Sequence, residues 1–270
     1  MKKILILFFI GSCFSGYSQS RQEIHCKHFF HGYPYGTPAS NDLIIRDIYA
    51  LSNNDKTKFA DWVAYRLTMH EVDGDLEVER NWRVDPWLAE NETLEPSPSS
   101  KEDYKGANKA LGVDRGHQAP LASFKGSRFA SQTNMLSNIT PQQKNMNQGC
   151  WKNLEEAVRG LVRTGKTVYV MTGPIFNRTM PKLPNADEEH TIPSGYWKVV
   201  FCETGTDIFE HAAFIMDQES GRTDKVFSKL VTIDEVEKQS GLDLLWELPD
   251  SKESAVESDK NAGWAGTWVK

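Results

Sequence analysis

Val113-Asp114-Arg115-Gly116-His117-Gln118-Ala119-Pro120, followed by Asn134-Met135-Leu136-Ser137-Asn138-Ile139-Thr140-Pro141-Gln142 and then Asn147-Gln148-Gly149-Cys150-Trp151, is the stretch on which the reading of this chain turns. One histidine stands close to a carboxylate and an arginine. Asparagines at 134, 138 and 147 and a glutamate at 155 follow within forty residues. No other segment gathers a base that titrates near neutrality, amide oxygens and a carboxylate so closely.

Working outward, apolar Trp151, Leu154, Val158, Leu161 and Val162 recur at helical spacing between charged residues, and Gly165 stands where a helix would end, which predicts a helix from Gly149 to Arg163. Thr167–Met171, Tyr196–Phe201 and Ala212–Met216 are strand-length apolar runs. Upstream, Leu43–Arg46 and Trp62–Leu67 bracket the turn-like Ser52-Asn53-Asn54-Asp55 and read as neighbouring antiparallel strands. Residues 21–40 look irregular. Residues 73–100, ending in Pro96-Ser97-Pro98-Ser99-Ser100, have the composition of a surface loop. Thr232 with a carboxylate three residues on predicts a short helix before Gly241, and the charged tail from Ser251 is expected to pack loosely. The fold class expected is α+β: a mixed, mainly antiparallel sheet with flanking helices.

The chain has 270 residues, 39% hydrophobic and 25% charged, enough for one full-sized core and unlike a disordered or fibrous sequence. Lys2-Lys3, the apolar run Ile4–Ile10 and Gly16-Tyr17-Ser18 before Gln19 have the order of a secretory leader, so residues 1–18 are expected to be removed and 19–270 to form a single domain, secreted or periplasmic. Ile10-Gly11-Ser12-Cys13 loosely resembles a lipoprotein cleavage site, a weaker reading because the leader would be unusually short. No later run approaches the roughly twenty apolar residues that span a bilayer. Cleavage leaves Cys26, Cys150 and Cys202, an odd number, so at least one stays unpaired. His25, Cys26, His28 and His31 crowd together but match no structural zinc spacing.

Net charge is −6, and removing the two leader lysines makes it −8, the wrong sign for a protein that holds nucleic acid by bulk electrostatics. The charges are segregated, however. Acidic residues dominate from Glu71 to Glu95, around Arg80 and Arg83, whereas Lys144, Lys152, Arg159, Arg163 and Lys166 cluster beside the histidine stretch.

Phosphodiester hydrolysis needs a base for water, a cation for the charge that develops on phosphorus and the leaving oxygen, and groups that hold the phosphate in line. His117 has the chemistry of the base. Asn147 offers a neutral oxygen of the kind magnesium accepts. Glu155, eight residues on, would fall within roughly 80° of Asn147 on one regular helix. Arg159 lies one turn further, and Arg115 and Arg159 can each pair with a phosphate oxygen.

Together these residues resemble the DNA/RNA non-specific endonucleases, the ββα-metal nucleases. The resemblance rests on Asp114-Arg115-Gly116-His117, on Asn134 through Gln142, and on Asn147 through Trp151 with Leu154-Glu155, and it extends more weakly from Asn41 to Asp243. It implies a ββα-metal active-site motif in which His117 activates water and Asn147 is the sole direct protein ligand of Mg2+, for which Mn2+ could substitute. Glu155 would orient the metal's waters, and Arg115 and Arg159 would stabilise the phosphate. Asn138 would support catalysis, and Asn134 and Asp114 would stand on the substrate side. The implied substrates are DNA and RNA, cut to 5′-phosphate ends without sequence preference, since contacts to phosphate alone read no base edges. The oligomeric state is left open, a homodimer included.

Two rival readings stand beside it. One is a secreted metal-dependent phosphodiesterase for nucleotides or small diesters, slightly favoured by the negative charge and recognisable by an enclosed pocket. The other is a binding module without catalysis, which would need neither the base nor the metal and would show a steep loss of affinity with salt.

Overall fold

The computed structural model describes residues 21–96, 102–205 and 208–270. The expected leader and Cys13 lie outside the described residues. Nine strands follow in chain order: β1 (Asp42–Ile45), β2 (Ala50–Asn54), β3 (Phe59–Leu67), β4 (Val113–His117), β5 (Ile139–Gln143), β6 (Val168–Ile175), β7 (Gly195–Gly205), β8 (Ile208–Asp217) and β9 (Leu230–Val231). The helices are α1 (Met69–Val72), α2 (Ala107–Leu111), α3 (Lys144–Met146), α4 (Lys152–Val162), α5 (Ile233–Ser240), α6 (Asp250–Glu257) and α7 (Ala262–Trp268). Seven strands pair in the order β1-β2-β3-β6-β7-β8-β9, every pair antiparallel, while β4 and β5 form a separate two-stranded ribbon. The α+β class holds, with a sheet wholly rather than mainly antiparallel.

Side chains alternate across this sheet, and both faces are covered. Tyr65, Val170, Tyr196, Val200, Cys202 and Phe214 face the layer of α4 and α7, whereas Trp62, Met171, Trp197, Val199 and Phe201 face α5 and the 242–248 segment. Trp151 and Leu154 of the helical stripe are buried within this core, so no dimer contact is needed to cover them. Thr232 caps α5 by accepting from the Glu235 amide, and the helix ends at Gly241, φ +74°, as its sequence predicted.

Two expectations need correction. Ser52–Asn54 belongs to strand β2 rather than to a turn and separates β1 from β3; Asn53 Nδ2 donates to the Glu92 carbonyl and Asn54 Nδ2 to Asp61. The tail does not pack loosely: α6 and α7 form there, Ala265 and Val269 are buried, and the Trp268 ring meets Phe214 edge-on at 6.1 Å. Widely spaced apolar residues among charges concealed that face. Residues 73–96 are largely the exposed, irregular segment expected, tied down at buried anchor points. Asp85 is fully buried in an ion pair with Arg46 and accepts from Ser137 Oγ, and Arg83 exchanges backbone hydrogen bonds with Asn134 and Leu136. Cys26, Cys150 and Cys202 are all free thiols, which meets the expectation that at least one stays unpaired. No helix among the described residues is long and apolar enough to cross a membrane.

Candidate active site

The β4–β5 ribbon and α4 build one wall of a cleft of about 460 Å3. Gly116 is required in β4 because a Cβ there would lie 2.2 Å from the Gln142 side chain across the ribbon. The ribbon is fastened to the main sheet through the Pro141 carbonyl, which accepts from Tyr196 Oη at 2.8 Å and Gln218 Nε2 at 2.7 Å. A proline donates no ladder hydrogen bond, and here its carbonyl carries the attachment.

The chain then enters a π-type turn, Asn147–Trp151, before α4. Gly149 breaks the helical geometry with φ −107° and ψ −114°, and a Cβ on it would meet the Arg222 backbone at 2.5 Å. Asn147 and Glu155 thus do not share the single regular helix that their spacing suggested. The bulge re-aims Asn147, and both residues still line the cleft.

His117 is at the end of β4, and its Nε2 lies 3.1 Å from Asn134 Oδ1. The Asn134 amide nitrogen donates to the Glu79 carbonyl at 2.9 Å, which fixes the amide oxygen toward the ring. Nε2 must therefore carry the proton, leaving Nδ1 with the lone pair. Burial pulls the imidazole down to about 4, with Arg80 adding to the effect and the Asn134 hydrogen bond opposing it. His117 is consequently neutral at physiological pH and able to accept a proton.

Asp114 collects three amide donors: Asn147 Nδ2 at 3.1 Å and Gln148 Nε2 at 2.7 Å on one oxygen, and Asn108 Nδ2 at 3.1 Å on the other. Its place is behind Asn147 as an anchor, and it also lines the cleft. Because Asp114 holds the amide nitrogen, the Asn147 oxygen is left free of that carboxylate and available to a hard cation, and Glu155 lines the same cleft. The donor set fits a magnesium-type ion that keeps most of its own water.

Glu155 is pushed upward by burial, against the lowering influence of Lys198 and Arg159. Arg115 lies between two aromatic rings, 5.5 Å from Trp82 and 5.2 Å from Tyr104, and pairs with Glu102 at 2.7 Å. Arg159 is buried, with Nη1 3.5 Å from Ser123 Oγ, and lies behind the cleft rather than along it. Asn138 is fully buried. It accepts from the Ala119 amide and donates to the Ala119 and Thr133 carbonyls, so it ties down the loop between the ribbon strands and does not reach the cleft. Asn134 too is set behind His117.

Sequence reasoning passed over Trp82 and Tyr104, and it named Arg80, Gln148 and Lys152 without giving them a role; all five line the cleft. Arg80 and Trp82 come from the acidic 73–96 segment, and only the available signal of an arginine and a tryptophan close together in a polar run marked them.

Comparison with known proteins agrees with this geometry. The family model for DNA/RNA non-specific endonuclease matches residues 30–251. The chain is 44% identical over 222 residues to a nuclease of Serratia marcescens, covering 82% of this chain and 81% of that protein. It is 30% identical over 221 residues to mitochondrial endonuclease G of Homo sapiens, covering 77% and 71%. The fold is similar to a chain in the crystal structure of the EndoG/EndoGI complex, with a TM-score of 0.66 at 21% identity, covering 79% of this chain and 89% of that one. A seven-stranded sheet carrying a ribbon-and-helix cleft, joined to a sequence match of this extent, makes this chain a member of the DNA/RNA non-specific endonuclease family.

Proposed function

We propose that the chain cuts DNA and RNA internally by hydrolysis to 5′-phosphate ends, with His117 as general base and one Mg2+ held through Asn147. Membership of the family makes it a nuclease, and the metal, the strand polarity and the residue roles are the proposal. The observation that carries it is the convergence in one cleft of a neutral His117, the Asn147 amide, Glu155 and the cations Arg80, Arg115 and Lys152.

The metal would supply charge stabilisation for the phosphate and its leaving oxygen. The chain does the rest. Nε2–H of His117 is held by Asn134, so Nδ1 takes the proton of the attacking water. Arg115, stacked between Trp82 and Tyr104, meets a phosphate oxygen once Glu102 yields it. Arg80 brings a second guanidinium to the cleft from the 73–96 segment. The three cations Arg80, Arg115 and Lys152 on the cleft lining support a substrate with several phosphates over a small diester. The leader-like N-terminus supports export, which N-terminal sequencing of protein recovered outside the cytoplasm would test.

The decisive experiment incubates plasmid DNA and an RNA transcript with the purified chain and Mg2+, with EDTA, and with His117→Ala. Both polymers should be cut, with both controls inactive and the product ends removable by phosphatase from the 5′ side. Hydrolysis of a small diester alone, with both polymers intact, would overturn the substrate assignment.

A further inference from the structure

Lys198 is fully buried in the middle of β7, opposite Thr172 on β6 and Phe214 on β8, on the sheet face that otherwise presents Tyr196, Val200 and Cys202 to α4. A lysine is almost never buried completely without a partner, and removing its charge from water is costly. Its ammonium donates to Tyr65 Oη at 3.3 Å and stands 4.5 Å from the centre of the Trp151 ring. These neutral contacts compensate the charge only in part. Among the described residues, no carboxylate forms an ion pair with it. The acidic group that acts on it is Glu155, four residues after Trp151 and hence on the same side of the helix.

Resting on the nuclease reading above, we propose that Lys198 is a positioning residue of the active site, a buried cation beneath the floor of the cleft that keeps Glu155 charged and directed toward the metal position. Lys198 does not line the cleft and touches no substrate. It acts through Glu155, with Tyr65 and Trp151 holding it in place. The charged groups around Glu155 come from three sides: Arg159 on its own helix, Arg80 from the 73–96 segment, and Lys198 from the sheet. Tyr65 on β3, which accepts from the Lys198 ammonium, also feels the Glu155 charge. Burial pulls the Lys198 ammonium down and the Glu155 charge opposes that pull, while Lys198 in turn lowers Glu155 against its own burial. Lys198 is wholly inaccessible and, like Arg159, lies outside the cleft lining, so a bound substrate cannot draw it away from Glu155.

The test compares wild type, Lys198→Met and Lys198→Arg in the metal-free protein. The side-chain carboxyl carbons of 13C-labelled glutamate are followed by NMR against pH, and the Glu155 signal is assigned by its absence in Glu155→Gln. Lys198→Met should raise the Glu155 midpoint by about one pH unit or more, a tenfold change in its proton equilibrium, and Lys198→Arg should restore most of it. The acid limb of kcat for DNA cleavage should move by the same amount, with KM unchanged. A folded Lys198→Met protein with an unmoved Glu155 midpoint overturns the proposal. Should Lys198→Met fail to fold, Tyr65→Phe removes only the hydroxyl that holds the ammonium. A smaller shift in the same direction supports the role, and no shift overturns it. If instead wild type fails to cut DNA or RNA with Mg2+, the nuclease reading falls while the NMR result still reports on the Lys198–Glu155 coupling.

Discussion

Nδ2 of Asn147 donates to Oδ2 of Asp114 across 3.1 Å, and that same oxygen takes Gln148 Nε2 at 2.7 Å. A residue from the ribbon thereby sets the direction of an amide at the start of the helix. Carboxylates that orient a metal-binding side chain commonly matter nearly as much as the side chain itself. Asp114→Ala should raise the Mg2+ concentration for half-maximal cleavage about 10- to 100-fold with the fold intact. A metal titration with an unchanged midpoint would show that Asn147 holds its direction without help.

His117→Ala should lower kcat by roughly 10²- to 10⁴-fold, the ordinary contribution of a general base. Asn134→Ala should cost less, because it removes the acceptor that selects the Nδ1 lone pair but leaves the imidazole in place. Steady-state cleavage rates should rank wild type above Asn134→Ala and Asn134→Ala above His117→Ala. A reversed order of the two variants would contradict the tautomer assignment.

Burial lowers both His28 and His117 from 6.5 to about 4. In the unfolded chain they protonate near 6.5, so the unfolded state binds more protons between pH 6.5 and about 4. Their contribution to stability is therefore full above pH 6.5 and is lost as pH falls toward 4, on the order of 2 kcal/mol for each. Raised carboxylates such as Glu237 and Glu257 work in the opposite direction, so the readout is a difference. Urea unfolding at pH 7.5 and pH 4.5 should show a smaller loss on acidification for His117→Ala than for wild type. Equal losses would mean that His117 is not buried in its neutral form.

Lys152 is exposed at the rim of the cleft, on the first turn of α4. A lysine there contacts phosphate without reading bases, so Lys152→Ala should raise KM for DNA similarly across sequences and leave kcat nearly unchanged. The dependence of log KM on log salt should become shallower by about one unit. Persistence of the wild-type slope would remove Lys152 from the substrate path.

The C-terminal helices offer a control remote from the chemistry. Trp268 packs on Phe214 of the sheet, and Trp268→Ala should cost about 2 kcal/mol in urea unfolding, below the full large-to-small penalty because the ring is partly exposed. Activity of the folded fraction should be unchanged. A loss of kcat without a loss of stability would instead tie α7 to the cleft.

The candidate site was legible in residue order, because His117, Asn147 and Glu155 belong to one local ribbon-turn-helix unit whose parts are joined within some forty residues. The same holds for the alternating strands β6, β7 and β8 and for the capped helix α5, where local periodicity and caps decide the element. What lay beyond reach was longer in range. Arg80 and Trp82 reach the cleft only because Asp85 is anchored to Arg46 and Ser137, contacts that join residues 39 and 52 positions apart. The tail gained helices because β8 presents a surface for Trp268 and Ala265. Arg159, expected at the phosphate, turned inward toward a serine, and Asn138, expected to support catalysis, is spent on the backbone of the loop between the ribbon strands.

By itself, then, the sequence determined the sheet-forming runs, the helix caps and the ribbon-turn-helix unit, since hydrogen bonding and side-chain periodicity within a segment depend on near neighbours. Only the tertiary structure decided which polar side chains face the cleft and which are consumed as anchors. A buried amide or guanidinium must find a partner wherever the packed chain supplies one, and that partner is set by distance in space. Lys198 is the clearest case: in the strand it is one polar residue in an apolar run, and the placement of Tyr65, Trp151 and Glu155 around it makes it part of the site.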